Sequence, residues 1–294
     1  MYLLNIIYIF SFLYGVSNYN NIYSVVDDQR NISLGNIHTS SNDVSSIFDS
    51  PIAINNKKNN FFISLNQYSN LLNVYHVAYP IIANDKMNLS FGLVRREINN
   101  NYNTNLAWYN DGYPDHGEID YSQIFQFSDK ETGLLLSYNK VLDDIIIGFN
   151  FKPSYHKIGS SSAVSFQMDC RYLFSLNKVK ISFGVDNLLS RKKWDTGYIE
   201  RTSIDAYING RFHLNQKLLF FGELNIDKEF KLGTEMQLVD NFHIRSGINK
   251  SNFTLGFGVK TKNFNIDYAY VDNGSNILGN NHSLGCILKL NNFK

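Results

Sequence analysis

The chain has 294 residues, 44% of them hydrophobic, 15% aromatic and 18% charged, with a formal net charge of +1. The charged share lies below the ~25% usual for soluble domains, and a near-neutral chain without a basic block does not suit a nucleic-acid partner. Two cysteines exclude a disulfide framework or a Cys-rich zinc site. Mean hydropathy is −0.24, and past the N-terminus no apolar run approaches the ~18 residues of a transmembrane helix. A β-barrel needs no such run and survives this test.

In chain order, Leu3 to Tyr14 is almost wholly apolar and ends at Gly15-Val16-Ser17. It has the length of a signal-peptide core, with small residues placed for cleavage after Ser17, so 1–17 reads as a signal peptide. Residues 18–60 are polar and mixed. Ser40-Ser41-Asn42-Asp43 reads as the N-cap of a short helix through about Phe48, stopped by Pro51.

From Phe61 the pattern changes to a period of two. Ile145, Ile147, Phe149 and Phe151 oppose Ile146, Gly148, Asn150 and Lys152. Val164, Phe166, Met168, Cys170 and Tyr172 oppose Ser165, Gln167, Asp169 and Arg171. The same alternation runs through 179–186, 230–238, 253–260 and 264–270, and it is the signature of strands with two unlike faces. Asn- and Asp-containing turns separate the runs, many only two to four residues long, so neighbouring strands are antiparallel hairpins. Phe61 to Leu290 holds roughly fourteen or fifteen strands, with longer links expected at 97–118, 155–162, 188–200 and 272–280.

The face opposite the apolar one decides between a sandwich and a barrel. It carries Lys152, Asp169, Arg171, Lys180, Asp186, Glu223, Lys231, Glu235, Arg245, Lys260 and Asp267. A Lys or Arg turned to lipid at mid-membrane costs ~2–4 kcal/mol, so this set must face water or pair internally. The reading is an all-β antiparallel transmembrane β-barrel over 61–294, with these charges as a luminal lining and as cross-strand ion pairs that fill the lumen. Glycines recur on the polar face, among them Gly92, Gly148, Gly184, Gly233, Gly247, Gly256 and Gly258, as expected where an inward-facing wall curves. Tyr138, Tyr172, Tyr268 and Tyr270 fit interfacial girdles.

The order of several short segments resembles the PorV/PorQ family of outer-membrane proteins, which is similar in turn to FadL-type barrels. The segments are Ile32-Ser33-Leu34-Gly35 with Asp43 to Phe48, Phe183-Gly184-Val185-Asp186-Asn187-Leu188, Leu232-Gly233-Thr234-Glu235 and Ile244-Arg245-Ser246-Gly247-Ile248. They continue with Leu255-Gly256-Phe257-Gly258, Asp267-Tyr268-Ala269-Tyr270 and Leu278 to Leu284. Asp49-Ser50-Pro51-Ile52-Ala53 stands where the family has Asn-Pro-Ala-Gly, a degenerate turn. The resemblance implies about 14 strands and a short N-terminal helical segment in or near the lumen. It also implies a Gram-negative outer-membrane location and one of two roles: assistance to type IX protein secretion or surface attachment, or a FadL-like channel for hydrophobic solutes. A soluble secreted β-rich binding protein is the remaining alternative.

Chemistry is sparse. Asp111, Asp115, His116 and Glu118 gather in the longest loop, where oxygen ligands beside Gly could hold Ca²⁺. Their spacing matches no known calcium loop, and they are read as a solvated extracellular loop. The seven His form no His-x-x-x-His pair, and no Gly-x-Ser-x-Gly elbow occurs. A non-enzymatic protein without cofactor is expected. Its expected partners are outer-membrane lipid and either secreted cargo with secretion-system components or hydrophobic small molecules, with no nucleic acid. His282 is expected to hydrogen-bond within the barrel, and Cys170 and Cys286 to remain free thiols on the apolar face.

Overall fold

The computed structural model describes residues 22–39, 43–52, 59–68, 72–107, 119–250, 252–272, 274 and 279–290. The expected signal peptide and the four loop residues Asp111, Asp115, His116 and Glu118 lie outside these.

The strands are β1 (Asn60–Tyr68), β2 (Leu72–Ala83), β3 (Met87–Asn103), β4 (Phe125–Leu142), β5 (Ile145–Ile158), β6 (Ser161–Leu176) and β7 (Val179–Trp194). They continue as β8 (Ile199–Glu200), β9 (Asp205–His213), β10 (Leu218–Asn225), β11 (Phe230–Val239), β12 (Phe242–Asn249), β13 (Asn252–Lys260), β14 (Phe264–Asp272) and β15 (Asn281–Lys289). Apart from β8, each pairs antiparallel with the strands before and after it. β1 pairs with β15 and β7 with β9, so the sheet closes into a 14-stranded barrel. The two-residue β8 is an extra piece against the upper part of β7. Closure leaves no unpaired strand edge, the condition for a sheet to cross lipid.

The alternation has the expected sense. Ile63, Leu65, Leu134, Leu136, Phe149, Phe151, Phe166, Phe220, Leu255 and Leu284 are exposed on the outer face. Ser64, Asn150, Lys152, Gln167, Asp169, Arg171, Glu223, Glu235 and Arg245 are buried inside. An exterior this apolar is a surface for lipid.

Two expected long links are strand instead. β5 and β6 meet in a tight turn at Gly159–Ser160, and β7 runs through Trp194. The reason is height. β3 to β7 have 14–18 residues each, while β9 to β15 have 8–10. The added length carries polar side chains on both faces, so the alternation of greasy and polar residues fades while the backbone ladder continues. One side of the barrel is a tall wall and the other a short one. Asn60 and Lys289, the two ends of the barrel chain, sit together at the short-turn end.

Candidate functional site

Residues 22–39 and 43–52 form a plug inside the barrel; the N-terminal segment was expected in or near the lumen. The plug opens with a 3₁₀ turn, Ile22–Val25. The five-residue helix α1 (Gln29–Ser33) follows, N-capped by Asp28, whose side chain accepts from the Asn31 N–H at 2.8 Å. The helix expected after Asp43 is a 3₁₀ turn, Val44–Ile47, and Asp43 makes no side-chain cap there. With only four residues before the chain turns at Ser50-Pro51, an α-helix has no room to propagate. Helix α1 has no long periodic pattern in sequence and went unanticipated.

The inward glycines turn out to be the footprint of the plug rather than marks of curvature. A Cβ on Gly233 would lie 2.6 Å from the Leu34 carbonyl oxygen, and one on Gly148 would lie 2.6 Å from that of Pro51. At Gly247 the Leu34–Gly35 peptide occupies the space a Cβ would need, and at Gly92 a Cβ would lie 2.9 Å from the Phe48 ring. Gly184 and Gly258 serve side chains of the wall instead, giving room to Tyr207 and to Arg245 with Asp267.

The plug meets two unlike surfaces. On one side Ile22, Val26, Val44, Ile47 and Phe48 pack on Phe62, Val74, Ala78, Val94, Leu135 and Ile287 of β1–β4 and β15. Here the inner wall carries an apolar strip set among buried polar residues such as Ser64, Asn66, His76 and Ser283, a strip the expected polar lining did not include. These strands read as nearly continuous apolar runs, such as Phe61-Phe62-Ile63 and Gly133-Leu134-Leu135-Leu136, so sequence alternation could not reveal the greasy inner strip. Tyr23 adds a specific anchor. Pro153 on β5 faces Leu134 on β4 and has no N–H to donate. The Tyr23 hydroxyl reaches that gap, 2.5 Å from the Leu134 carbonyl oxygen and 2.7 Å from that of Pro153.

On the other side the contacts are ionic. Arg30 of α1 donates twice to Glu235, from Nε at 2.8 Å and Nη2 at 3.1 Å. Glu235 also accepts from Arg245 Nε at 2.6 Å, and Arg245 Nη1 reaches Asp267 at 2.5 Å. The His38 backbone N–H donates to Glu223 at 2.9 Å, with the His38 ring 3.0 Å away, and Lys231 donates to Glu223 at 2.7 Å. Tyr207 stacks on His38 at 4.4 Å between ring centres, donates to Asp186 at 3.2 Å and lies under the Arg171 guanidinium. Arg171 pairs with Asp186 at 3.5 Å, and Lys152 pairs with Asp169.

All eleven charges expected to line the lumen therefore point inward. Nine of them lie in ion pairs. Lys180 and Lys260 instead line a polar cavity of about 350 Å³ between the plug and the short-turn end, together with Arg211 and Asp43. Arg30 and His38 were missed because their partners are some 200 residues away in the chain. A further cluster was missed within the tall wall: Arg96, Asp129, Glu131, His156 and Lys192. His156 Nε2 lies 2.6 Å from Asp129, and Arg96 lies 3.2 Å from Asp129 and 3.3 Å from Glu131. Its signal was available, since polar parity continues along β4 and β5 into the span read as loop.

Two plug carboxyls are set apart by burial. Asp28 accepts from Asn31 and from Ser45 Oγ at 3.4 Å, while its N–H donates to Asp49 at 3.0 Å. Loss of water raises the Asp28 carboxyl to about 6 and pushes Asp49 up as well, with the neighbouring Asp28 charge adding to the effect at Asp49.

On the outer face, His282 accepts or donates a hydrogen bond with the Tyr268 hydroxyl at 2.8 Å. Cys170 and Cys286 are free and lie at outward positions. Among the described residues no group of three or more His, Cys, Asp or Glu is arranged to hold a metal ion.

No family model matches the chain, and no curated protein matches it. Solved structures do. A deletion mutant of TodX, described as a monoaromatic hydrocarbon channel, superposes with a TM-score of 0.62 over 90% of this chain and 97% of its own, at 7% identity. A second TodX deletion mutant gives 0.59 over 87% and 96%, at 8% identity. The chain has the fold of an outer-membrane β-barrel. At this identity the likeness concerns the fold.

Proposed function

We propose that the protein is a non-enzymatic channel of the Gram-negative outer membrane, reached through a cleaved signal peptide, that passes small hydrophobic molecules. The observation that carries this reading is the apolar seam between the plug and the inner wall of β1–β4 and β15. A uniformly charged lumen would offer no low-energy path to a hydrocarbon. Here one side of the plug packs through an apolar strip, bordered by hydrogen bonds of Tyr23 to Leu134 and Pro153, of Gln29 to Asn66 and Ser283, and of Asn139 to Pro51. Within that strip a hydrophobic solute can replace apolar contact without leaving a buried charge unpaired. The likeness to a hydrocarbon channel supports the same reading.

Labelled toluene offered to Gram-negative cells tests it. Cells with the folded barrel in their outer membrane should take it up faster than cells carrying an empty vector. Equal uptake, with the barrel verified by fractionation and heat-modifiable gel migration, would overturn the reading.

A second reading, assistance to type IX secretion or surface attachment, is supported by the order of the terminal segments from Leu255 to Leu284. Deletion in the native host distinguishes the two: secretion predicts cargo retained in the periplasm, and solute passage predicts none.

A further inference from the structure

The outer face of the tall wall changes character within one turn of the pleat. On β5 the outward residues Ile145, Ile147, Phe149, Phe151, Pro153 and Tyr155 form an unbroken apolar row, and the next is Lys157. Ten residue steps of ~3.4 Å on a strand tilted ~40° give a height of roughly 26 Å, the thickness of a barrel's lipid-facing band. Lys157 thus sits at the level of the lipid headgroups.

Its neighbours repeat the pattern. Lys130 on β4 is the direct cross-strand partner of Lys157. On β3 the outward series Phe91, Leu93 passes to Arg95 and then Glu97, the cross-strand partner of Lys130, and on β7 Leu189 is followed by Arg191 and Lys193. On β6, between them, Ser162 faces Lys157 and Val164 faces Lys193, leaving a low saddle flanked by lysines. Arg95 and Lys130 have side chains 49% and 41% exposed, and Lys157, Arg191 and Lys193 are exposed too. The nearby carboxylates are engaged: Glu97 with Arg95 and Lys130, and Asp195 with the Ser162 N–H and hydroxyl. Arg95, Lys130, Lys157, Arg191 and Lys193 thus stand against Glu97, shared by Arg95 and Lys130, and Asp195, so the belt keeps an excess of positive charge that favours a further anion beside Lys157.

We propose that this belt binds the phosphate groups of a lipid in the outer leaflet. It faces outward immediately above the apolar band, so its ligand must itself be anchored in the bilayer, which selects a phosphorylated lipid headgroup over a free solute or a soluble partner. The short wall carries no such belt: at the same end its outward positions hold Phe230, Ile248, Phe253 and Asp272. Orientation rests on the outer-membrane reading proposed above, because the short-turn end of such barrels faces the periplasm. The inference does not rest on what the channel passes.

The test is binding of bis-phosphorylated lipid A to the full chain in detergent, followed by native mass spectrometry. Wild type should retain the lipid in a salt-sensitive manner. The triple variant Lys130→Gln, Lys157→Gln, Lys193→Gln should bind at least ~10-fold more weakly, while Lys228→Gln with Lys250→Gln on the short wall should change nothing. These outward substitutions leave the plug and lumen untouched, and heat-modifiable migration confirms that the variants are folded. Equal retention by the triple variant, or equal retention of the lipid stripped of its phosphates, would overturn the belt. Failure of the protein to fractionate with the outer membrane would instead overturn the location. Competition by inorganic phosphate alone, without lipid retention, would overturn the lipid as ligand.

Discussion

Around the lumen the wall changes chemistry while the backbone does not. β1–β4 and β15 present Phe62, Val74, Ala78, Val94 and Ile287 to the plug, whereas β9 to β14 present Glu223, Lys231, Glu235, Arg245 and Asp267. The same plug touches both. Apolar packing is non-directional and tolerates sliding. A buried ion pair resists the loss of one partner, because the other is left charged and dry. The difference teaches that the plug has a fixed ionic side and, between the hydrogen-bonded anchors of Tyr23 and Gln29, a releasable apolar side.

The largest expected effect comes from evicting the plug on its fixed side. Gly247→Val places side-chain atoms where the Leu34–Gly35 peptide lies. The barrel should still form, but residues 22–52 should become susceptible to protease, and ion conductance in planar bilayers should rise sharply above the wild-type level. Unchanged conductance would mean that the plug does not seal the lumen.

Next comes Glu235→Ala, which leaves Arg30 and Arg245 buried without their shared carboxylate. A loss of about 3–5 kcal/mol is expected for such a break, read as a lower urea midpoint. Opposite it, Phe48→Ala opens a cavity among Phe62, His76 and Gly92. Large-to-small changes of this type cost about 3–5 kcal/mol in a rigid core and less where the site collapses. This variant should speed toluene uptake while leaving ion conductance unaltered. If the two variants behave alike, the division into fixed and releasable sides fails.

The smallest effect is a pH dependence. Asp28 titrates near 6 in the folded plug because burial favours its neutral form, against 3.8 for the free side chain. Between these values the folded state holds more protons than the unfolded, so stability falls as pH rises from about 4 to 6 and levels off above. Asp28→Asn keeps an N-cap for α1 and should flatten that slope. Urea midpoints at pH 4, 5 and 6 would show it. A wild type with no slope would place the Asp28 carboxyl in water.

Much of the candidate site was legible in the sequence. Parity alone placed eleven charges on the inner face, and nine of them lie in ion pairs. The loop of Asp111, Asp115, His116 and Glu118 lies outside the described residues. Where inner and outer residues are both apolar, as in Leu134-Leu135-Leu136, the faces could not be separated.

The sequence by itself determined strand, turn and face, because a period of two is a local property and each strand carries its own. The tertiary structure decided what no single strand contains: the height difference between the walls, the apolar strip behind β1–β4, and the seat of the plug. Arg30 meets Glu235 and Leu34 meets Gly233 only when the sheet closes. The low-charge, aromatic-rich composition reflects two surfaces, an aromatic one for lipid and a charged one that holds the chain's own N-terminal segment.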